Sequence, residues 1–285
     1  MNKYKKILFI ILFIFSISNT LSKSEIVSSL LKKFNIFSYV YNDYTLTYRL
    51  FIPDRFNDET DYPLIICLHG AGERGNADKP VKEYELGIMW ARKESQIKNP
   101  CFILVPLCPK KKLWVNTDFN KGSYNIDEVP ISNELISIRN LIQDLVEKYP
   151  IDIKKIYIIG ISIGAFGVWD MIIRFPDLFA AAVPLSGAGD PAKASRINHI
   201  PIWNFHGEWD FYVPVKGSRQ MINALEKTGC SFVHTKKISK KRLKRIIEEG
   251  AIHLYTEFSM TWHVIWKKAF SNELLRYWLF HQVKH

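Results

Sequence analysis

Three residues far apart in the chain, Ser162, Asp210 and His263, have the types needed to cleave an acyl bond through an activated hydroxyl. Ser162 is the centre of Gly160-Ile161-Ser162-Ile163-Gly164, which follows an apolar run at 156–159 and precedes a helical pattern reaching Arg174. A serine on a sharp strand-to-helix turn has its hydroxyl lifted out of the sheet, and flanking glycines remove side chains that would clash there. A hydroxyl is a weak nucleophile until a base takes its proton, and imidazole serves best when a carboxylate fixes its tautomer. Asp210 falls in His206-Gly207-Glu208-Trp209-Asp210-Phe211-Tyr212-Val213-Pro214, after an apolar run at 202–205, and His263 falls in the segment after 255–258. Acid and base thus follow the serine in the chain order that this turn requires. Asp190 and Glu208 are alternative acids, and His199, His206 and His253 alternative bases. His253 begins a strand, the end away from the site, and His206 reads as a structural turn residue.

The oxyanion of an acyl-transfer intermediate needs two N–H donors. One is expected from Ile163, the residue after the nucleophile, and the other from the loop His69-Gly70-Ala71-Gly72-Glu73-Arg74-Gly75, with Ala71 the first choice and Gly72 the second. Trp114 and Trp262 are expected to line an acyl or aryl pocket. The four cysteines (Cys67, Cys101, Cys108, Cys230) lack paired zinc-ligand spacing, which argues against a zinc site.

These residues need a scaffold that brings loop ends together. Two β-rich runs, 37–41 and 45–52, flank Asn42-Asp43 and predict an antiparallel hairpin that stops at Pro53. Short apolar runs follow at 64–68, 102–105, 156–159, 180–185 and 202–205, suited to strands covered on both faces. Helical patterns lie between them at 132–148, 163–174 and 217–227, with a further strand at 253–258 and a closing helix at 273–282. The alternation predicts an α/β architecture: a mostly parallel central sheet with an antiparallel amino-terminal edge, helices on both faces, and the site at the carboxyl ends of the strands. One catalytic domain, 23–285, is expected after a targeting segment.

That segment is 1–22. Lys3, Lys5 and Lys6 precede an apolar run at 7–17, and small polar residues follow, the layout of a secretory signal. The run is too short to span a bilayer, which excludes a multi-pass membrane protein. No cysteine follows it to accept a lipid, and an uncleaved anchor stays open. With 47% hydrophobic, 14% aromatic and 24% charged residues the chain can bury a core, so wholesale disorder is excluded. The formal net charge is +11, and segment 236–249 holds seven basic against two acidic residues. That run contains no aromatic residue, which argues against nucleic-acid binding. It reads as a solvated amphipathic helix packed on the body through Ile238, Leu243, Ile246 and Ile247, with weak contact to an anionic surface as the sharper reading beside it. Cys67 and Cys101 fall in runs that read as buried strands; a bond involving Cys108 or Cys230 stays open.

Taken together, LHGAGERGN (68–76), VPLCP (105–109) with Trp114, GISIGAFGVW (160–169), HGEWDFYVP (206–214), and His263 with Trp266 resemble the α/β-hydrolase carboxylesterases of the phospholipase/carboxylesterase and polysaccharide-esterase group, some of them described as prolyl-oligopeptidase-like peptidases. The resemblance covers about residues 35–283. It implies an α/β-hydrolase fold and a cofactor-free serine esterase with triad and oxyanion roles on the positions above, acting on a small-molecule or polysaccharide-linked ester. A peptidase of the same fold and a non-catalytic binding module on a hydrolase scaffold are the competing readings. The basic segment 236–249 looks like an insertion, and 259–262 replaces the glycine-containing turn usual before the family's histidine.

Overall fold

A computed structural model describes residues 23–54, 56–57, 59–79 and 86–284. The expected targeting segment, 1–22, lies outside the described residues. Among the described residues no helix is long and apolar enough to cross a membrane.

Helix α1 (Lys23–Leu31) leads into the hairpin β1 (Phe34–Tyr41) and β2 (Tyr44–Phe51). Asn42 makes the turn at φ 50°, a left-handed conformation that asparagine tolerates. Then come β3 (Tyr62–Leu68), the short helices α2 (Ile88–Ala91) and α3 (Lys93–Lys98), β4 (Phe102–Pro106), α4 (Asn133–Lys148), β5 (Ile151–Ile161) and α5 (Ile163–Arg174). The chain closes with β6 (Ala181–Leu185), β7 (Ile202–Gly207), α6 (Val215–Lys227), β8 (Val233–His234), α7 (Lys240–Glu248), β9 (His253–Phe258), α8 (Trp266–Phe270) and α9 (Glu273–Phe280).

The strands form one sheet in the order β1-β2-β4-β3-β5-β6-β7-β9-β8. The pairs β1/β2 and β2/β4 are antiparallel, and the other neighbours run parallel. The uninterrupted apolar runs have a direct consequence, because side chains alternate across a sheet. Leu64, Ile66 and Leu68 of β3 enter a core with α4, α5 and α6, whereas Ile65 and Cys67 enter the opposite core with α2, α8 and α9. This is the α/β-hydrolase arrangement, with the carboxyl ends of the parallel strands facing one side.

Most expected boundaries fall within a few residues. Ser132 caps α4 by accepting from the Leu135 amide. The largest difference is β5, which begins at Ile151, ahead of its apolar core. Its polar front (Asp152, Lys154, Lys155) is drawn into the sheet by the pairing Tyr62↔Ile151, across a register shift that hydrophobicity does not reveal. Within the basic segment, α7 buries Leu243 and Ile247 on the body, while Lys236, Lys240, Lys244 and Arg245 pair with Glu208, Glu273, Glu248 and Glu249. All four cysteines are free, including Cys108 and Cys230.

Candidate active site

Ser162 joins β5 to α5 at φ 54°, ψ −122°. This left-handed conformation is strained for a residue with a Cβ, so the surroundings must enforce it. Its amide donates to the Leu185 carbonyl at 2.9 Å, and its carbonyl accepts from the Ala165 amide at 2.8 Å. A Cβ at Gly160 would stand 2.3 Å from the Gly164 carbonyl oxygen, and one at Gly164 would stand 2.1 Å from that of Leu68. Both glycines are therefore required by close backbone approach. Although Ser162 precedes a helix, its side chain does not cap it. The Oγ instead lies 2.8 Å from His263 Nε2.

His263 reaches the serine from the loop after β9, and its Nδ1 lies 2.6 Å from Asp210 Oδ2. The carboxylate places the proton on Nδ1, which leaves Nε2 to accept from the serine hydroxyl. The His263 carbonyl accepts from Ser186 Oγ at 3.2 Å, and the imidazole packs edge-on to Trp266. Asp210 Oδ1 accepts from the amides of Tyr212 (3.0 Å) and Val213 (2.9 Å). Burial alone would raise the Asp210 pKa, but hydrogen bonds from His206 and His263 and from the Val213 amide outweigh it and hold the carboxyl well below the usual range.

His206 is fully buried at the end of β7. Its Nε2 faces two acceptors, the Val213 carbonyl at 3.0 Å and Asp210 Oδ2 at 3.2 Å. The proton therefore belongs on Nε2, and Nδ1 accepts from Ser218 Oγ at 2.7 Å. Reading His206 from sequence as a structural turn residue misses this link. The remaining acid and base candidates lie away from the serine. Asp190 caps the turn Pro191–Arg196 and accepts from the Ile126 amide. Glu208 pairs with Lys236. His199 and His253 line a hollow of about 710 Å³ together with Cys230 and Gly250.

The second wall comes from the loop after β3. Gly70, Gly72 and Gly75 have the spacing of a dinucleotide-binding loop; here Gly70 precedes the 3-10 turn Ala71–Glu73, Gly72 lies within it and Gly75 follows it. His69 braces this loop from inside. Its Nδ1 donates to the Gly70 carbonyl at 2.7 Å and its Nε2 accepts from the Cys108 amide at 3.0 Å. Burial lowers its pKa to about 4, so it is neutral at pH 7. Trp114, expected in a substrate pocket, is instead fully buried, and its indole N–H donates to the His69 carbonyl at 2.9 Å. The indole has a hydrogen-bond partner inside, and its place is the core behind the loop.

Ser162, His263, Ile163, Ala71 and Gly72 share a cleft of about 290 Å³, otherwise lined largely by apolar groups that include Phe119, Val213 and Trp266, with Glu73 on the loop side. Sequence reasoning did not identify Phe119 or Glu73; Phe119 belongs to a 3-10 turn in the long connection between β4 and α4, where periodicity is silent. Trp262, the other expected pocket residue, is 60% exposed on the outer rim with its ring against Phe211. Among the described residues, no group of three or more His, Cys, Asp or Glu side chains could hold a metal ion.

Residues 57–256 match the family model of the phospholipase/carboxylesterase family, and the chain belongs to that family. Among solved structures it is similar to a thermostable esterase, with a TM-score of 0.75 and 32% identity over 90% of this chain and 64% of that one. Poly(3-hydroxyalkanoate) depolymerase C of Paucimonas lemoignei is 26% identical over 141 residues, 47% of this chain and 29% of that protein. Acetylxylan esterase A of Aspergillus awamori is 35% identical over 68 residues, 24% of this chain and 22% of that protein. The chain thus spans less than a third of the length of these curated relatives.

Proposed function

We propose that the protein is an exported serine hydrolase that cleaves carboxylic esters through Ser162, His263 and Asp210 by way of an acyl-enzyme. The observation that carries this reading is the continuous chain of short contacts, 2.8 Å from Ser162 Oγ to His263 Nε2 and 2.6 Å from His263 Nδ1 to Asp210 Oδ2. Ser162 Oγ attacks the ester carbonyl while His263 Nε2 takes the hydroxyl proton, and Asp210 stabilises the resulting imidazolium. The amides of Ile163 and Ala71, each the first residue of its helical turn in the cleft, hold the oxyanion. His263 then protonates the departing alkoxide as the C–O bond breaks. Water, deprotonated by His263, attacks the acyl-serine and returns the acid and the free hydroxyl.

Membership of the phospholipase/carboxylesterase family and the similarity to an esterase at 32% identity support ester substrates. The basic-then-apolar amino terminus supports export. Fluorophosphonate labelling of the purified chain is the test, with Ser162→Ala and His263→Ala in parallel. Labelling and aryl-ester turnover are expected in the wild type and lost in both variants. A folded wild-type chain that never labels would defeat the reading, and faster turnover of a peptide anilide than of the aryl ester would replace esterase by peptidase.

A further inference from the structure

Among the described residues, four that are not glycine have a left-handed backbone: Asn42, Ser162, Ser186 and Met260. Asparagine tolerates this conformation, and the two serines are buried at strand ends where the sheet can enforce it. Neither reason applies to Met260, whose φ is 50°, whose side chain is 69% exposed, and which lies in the turn between β9 and His263. Strain of this kind persists only where neighbouring groups hold it, and here side-chain packing does not.

Glu208 supplies the hold. Its Oε2 accepts from the Met260 amide at 3.1 Å, and its own amide donates to the Phe258 carbonyl at 3.0 Å, so one residue grips the turn at two points. Beside it the Trp209 amide donates to the Thr261 carbonyl at 3.0 Å, and a Cβ at Gly207 would stand 2.2 Å from the Trp262 carbonyl oxygen. Segments 207–209 and 258–262 are thereby locked together. The first leads directly into Asp210 and the second into His263, so this grip sets the separation of acid and base.

The other oxygen of the same carboxylate is held from outside these loops. Lys236 Nζ donates to Glu208 Oε1 at 2.9 Å from the 3-10 turn Thr235–Lys237, and the Thr235 and Thr256 hydroxyls, 2.6 Å apart, tie that turn to β9. An isolated surface ion pair fixes little, but this one belongs to a network. Lys236 also stands 3.7 Å from Glu257 Oε1, and Glu257 accepts from Arg219 at 2.9 and 2.7 Å and from the Tyr255 hydroxyl at 2.7 Å. We infer that Glu208 is a positioning residue for His263, and that Lys236 of the basic segment holds Glu208 in the orientation this requires. The kinetic consequence rests on the triad reading, whereas the geometric one, the contact between Asp210 and His263, does not.

Steady-state kinetics, the low-field proton resonance of His263 Nδ1 and Tm, all measured on the full chain, test the inference. The variants are Glu208→Ala, Glu208→Gln, Lys236→Met, Met260→Gly and Glu208→Ala/Met260→Gly. Lys240→Ala breaks another ion pair of the same segment, with Glu273 on α9, and is the control. Because Glu208 does not line the cleft, Glu208→Ala should lower kcat and the fluorophosphonate labelling rate on the order of tenfold while KM for a short-chain aryl ester stays within about twofold, and the resonance should move. Glu208→Gln keeps an acceptor for the Met260 amide but loses the ion pair, so it and Lys236→Met should fall together between wild type and Glu208→Ala. Met260→Gly removes the strain, and in that background the loss caused by Glu208→Ala should shrink to about threefold or less. Wild-type rates and resonance in Glu208→Ala, the same loss in both backgrounds, or a loss in Lys240→Ala equal to that in Lys236→Met would overturn the inference. So would a lowered Tm in Glu208→Ala with an unmoved resonance. A wild type that neither labels nor turns over an ester defeats the hydrolase reading alone, since the resonance and its shift in Glu208→Ala still decide whether Glu208 positions His263.

Discussion

Replacing Gly164 by alanine should disable the site while leaving the protein folded. The new methyl would lie 2.1 Å from the Leu68 carbonyl oxygen and 2.7 Å from that of His69, both backbone atoms, whereas ordinary contact begins at 3.4 Å. The amino end of α5 must therefore retreat by about 1 Å, since no flexible side chain can give way instead. That retreat separates the two halves of the oxyanion site, because Ile163 begins α5 and the Leu68–His69 backbone leads directly into Ala71. A misplacement of about 1 Å costs on the order of 10²-fold in rate, and loss of one oxyanion donor about 10²- to 10³-fold. The overpacking itself costs about 1–3 kcal/mol, or about 2–4 °C in Tm for each kcal/mol. Steady-state kcat/KM on a short-chain aryl ester, fluorophosphonate labelling rate and calorimetry on the same preparations make the assay. A drop in Tm with kcat/KM within about threefold of wild type would refute the reasoning, because the elbow would then not set the oxyanion geometry.

Further perturbations have expected outcomes of their own. His206→Leu removes one donor from Asp210 Oδ2 and leaves Ser218 Oγ without its imidazole acceptor; kcat/KM should fall about 10- to 10²-fold, the equivalent of one hydrogen bond to a charged group, and wild-type rates in this variant would dismiss the link. Gly207→Ala should push the 261–262 backbone away from β7 and lengthen the Asp210–His263 contact; an unshifted low-field proton resonance between these residues would count against it. Burial lowers the pKa of His253 to about 4, so the unfolded chain binds its proton first as pH falls. Stability from this residue is complete above about pH 6.5 and drains away down to about pH 4, on the order of 3 kcal/mol in all. Urea melts at pH 7 and pH 4.5 should show a smaller pH-dependent loss for His253→Phe than for wild type, and equal losses would place the acid sensitivity elsewhere.

Much of this arrangement is legible in the chain's residues, for identifiable reasons. Helix α5 matches its expected range because Gly160-Ile161-Ser162-Ile163-Gly164 combines a turn that only glycine permits with an apolar strand before it and an unbroken helical pattern after it. Asp210 is placed by the short, well-bounded apolar run before it, whereas His263 follows β9, whose sequence His-Leu-Tyr-Thr-Glu-Phe mixes polar with apolar residues. Trp114 is misplaced by sequence reasoning because composition cannot distinguish an indole facing a ligand from one that satisfies a backbone carbonyl, and His69 lies 45 residues away in sequence. The bond from His206 to Asp210 is hidden by the opposite problem: short-range spacing suggests a local turn, and only the folded loop shows that both imidazoles converge on one carboxylate oxygen. The exposed rings of Phe211 and Trp262 are visible as residues, but their outward orientation depends on the tight approach of two loops that are distant in sequence.

The free cysteines bear on how the chain reaches its native state. Burial drives the Cys67 thiol far up and pushes those of Cys101 and Cys108 up to about 12, so in the folded protein they scarcely form the thiolate that disulfide exchange requires. In the unfolded chain under oxidising conditions the same thiols are exposed and reactive, and a bond between any two would tether segments that the native sheet keeps unlinked. Cys67 on β3 and Cys101 just before β4 belong to the sheet's middle, so closing these strands early sequesters the two thiols together. Closure of β3 and β4 before oxidant is supplied would keep both thiols out of reach, and refolding yield should drop when oxidant is supplied before those strands close.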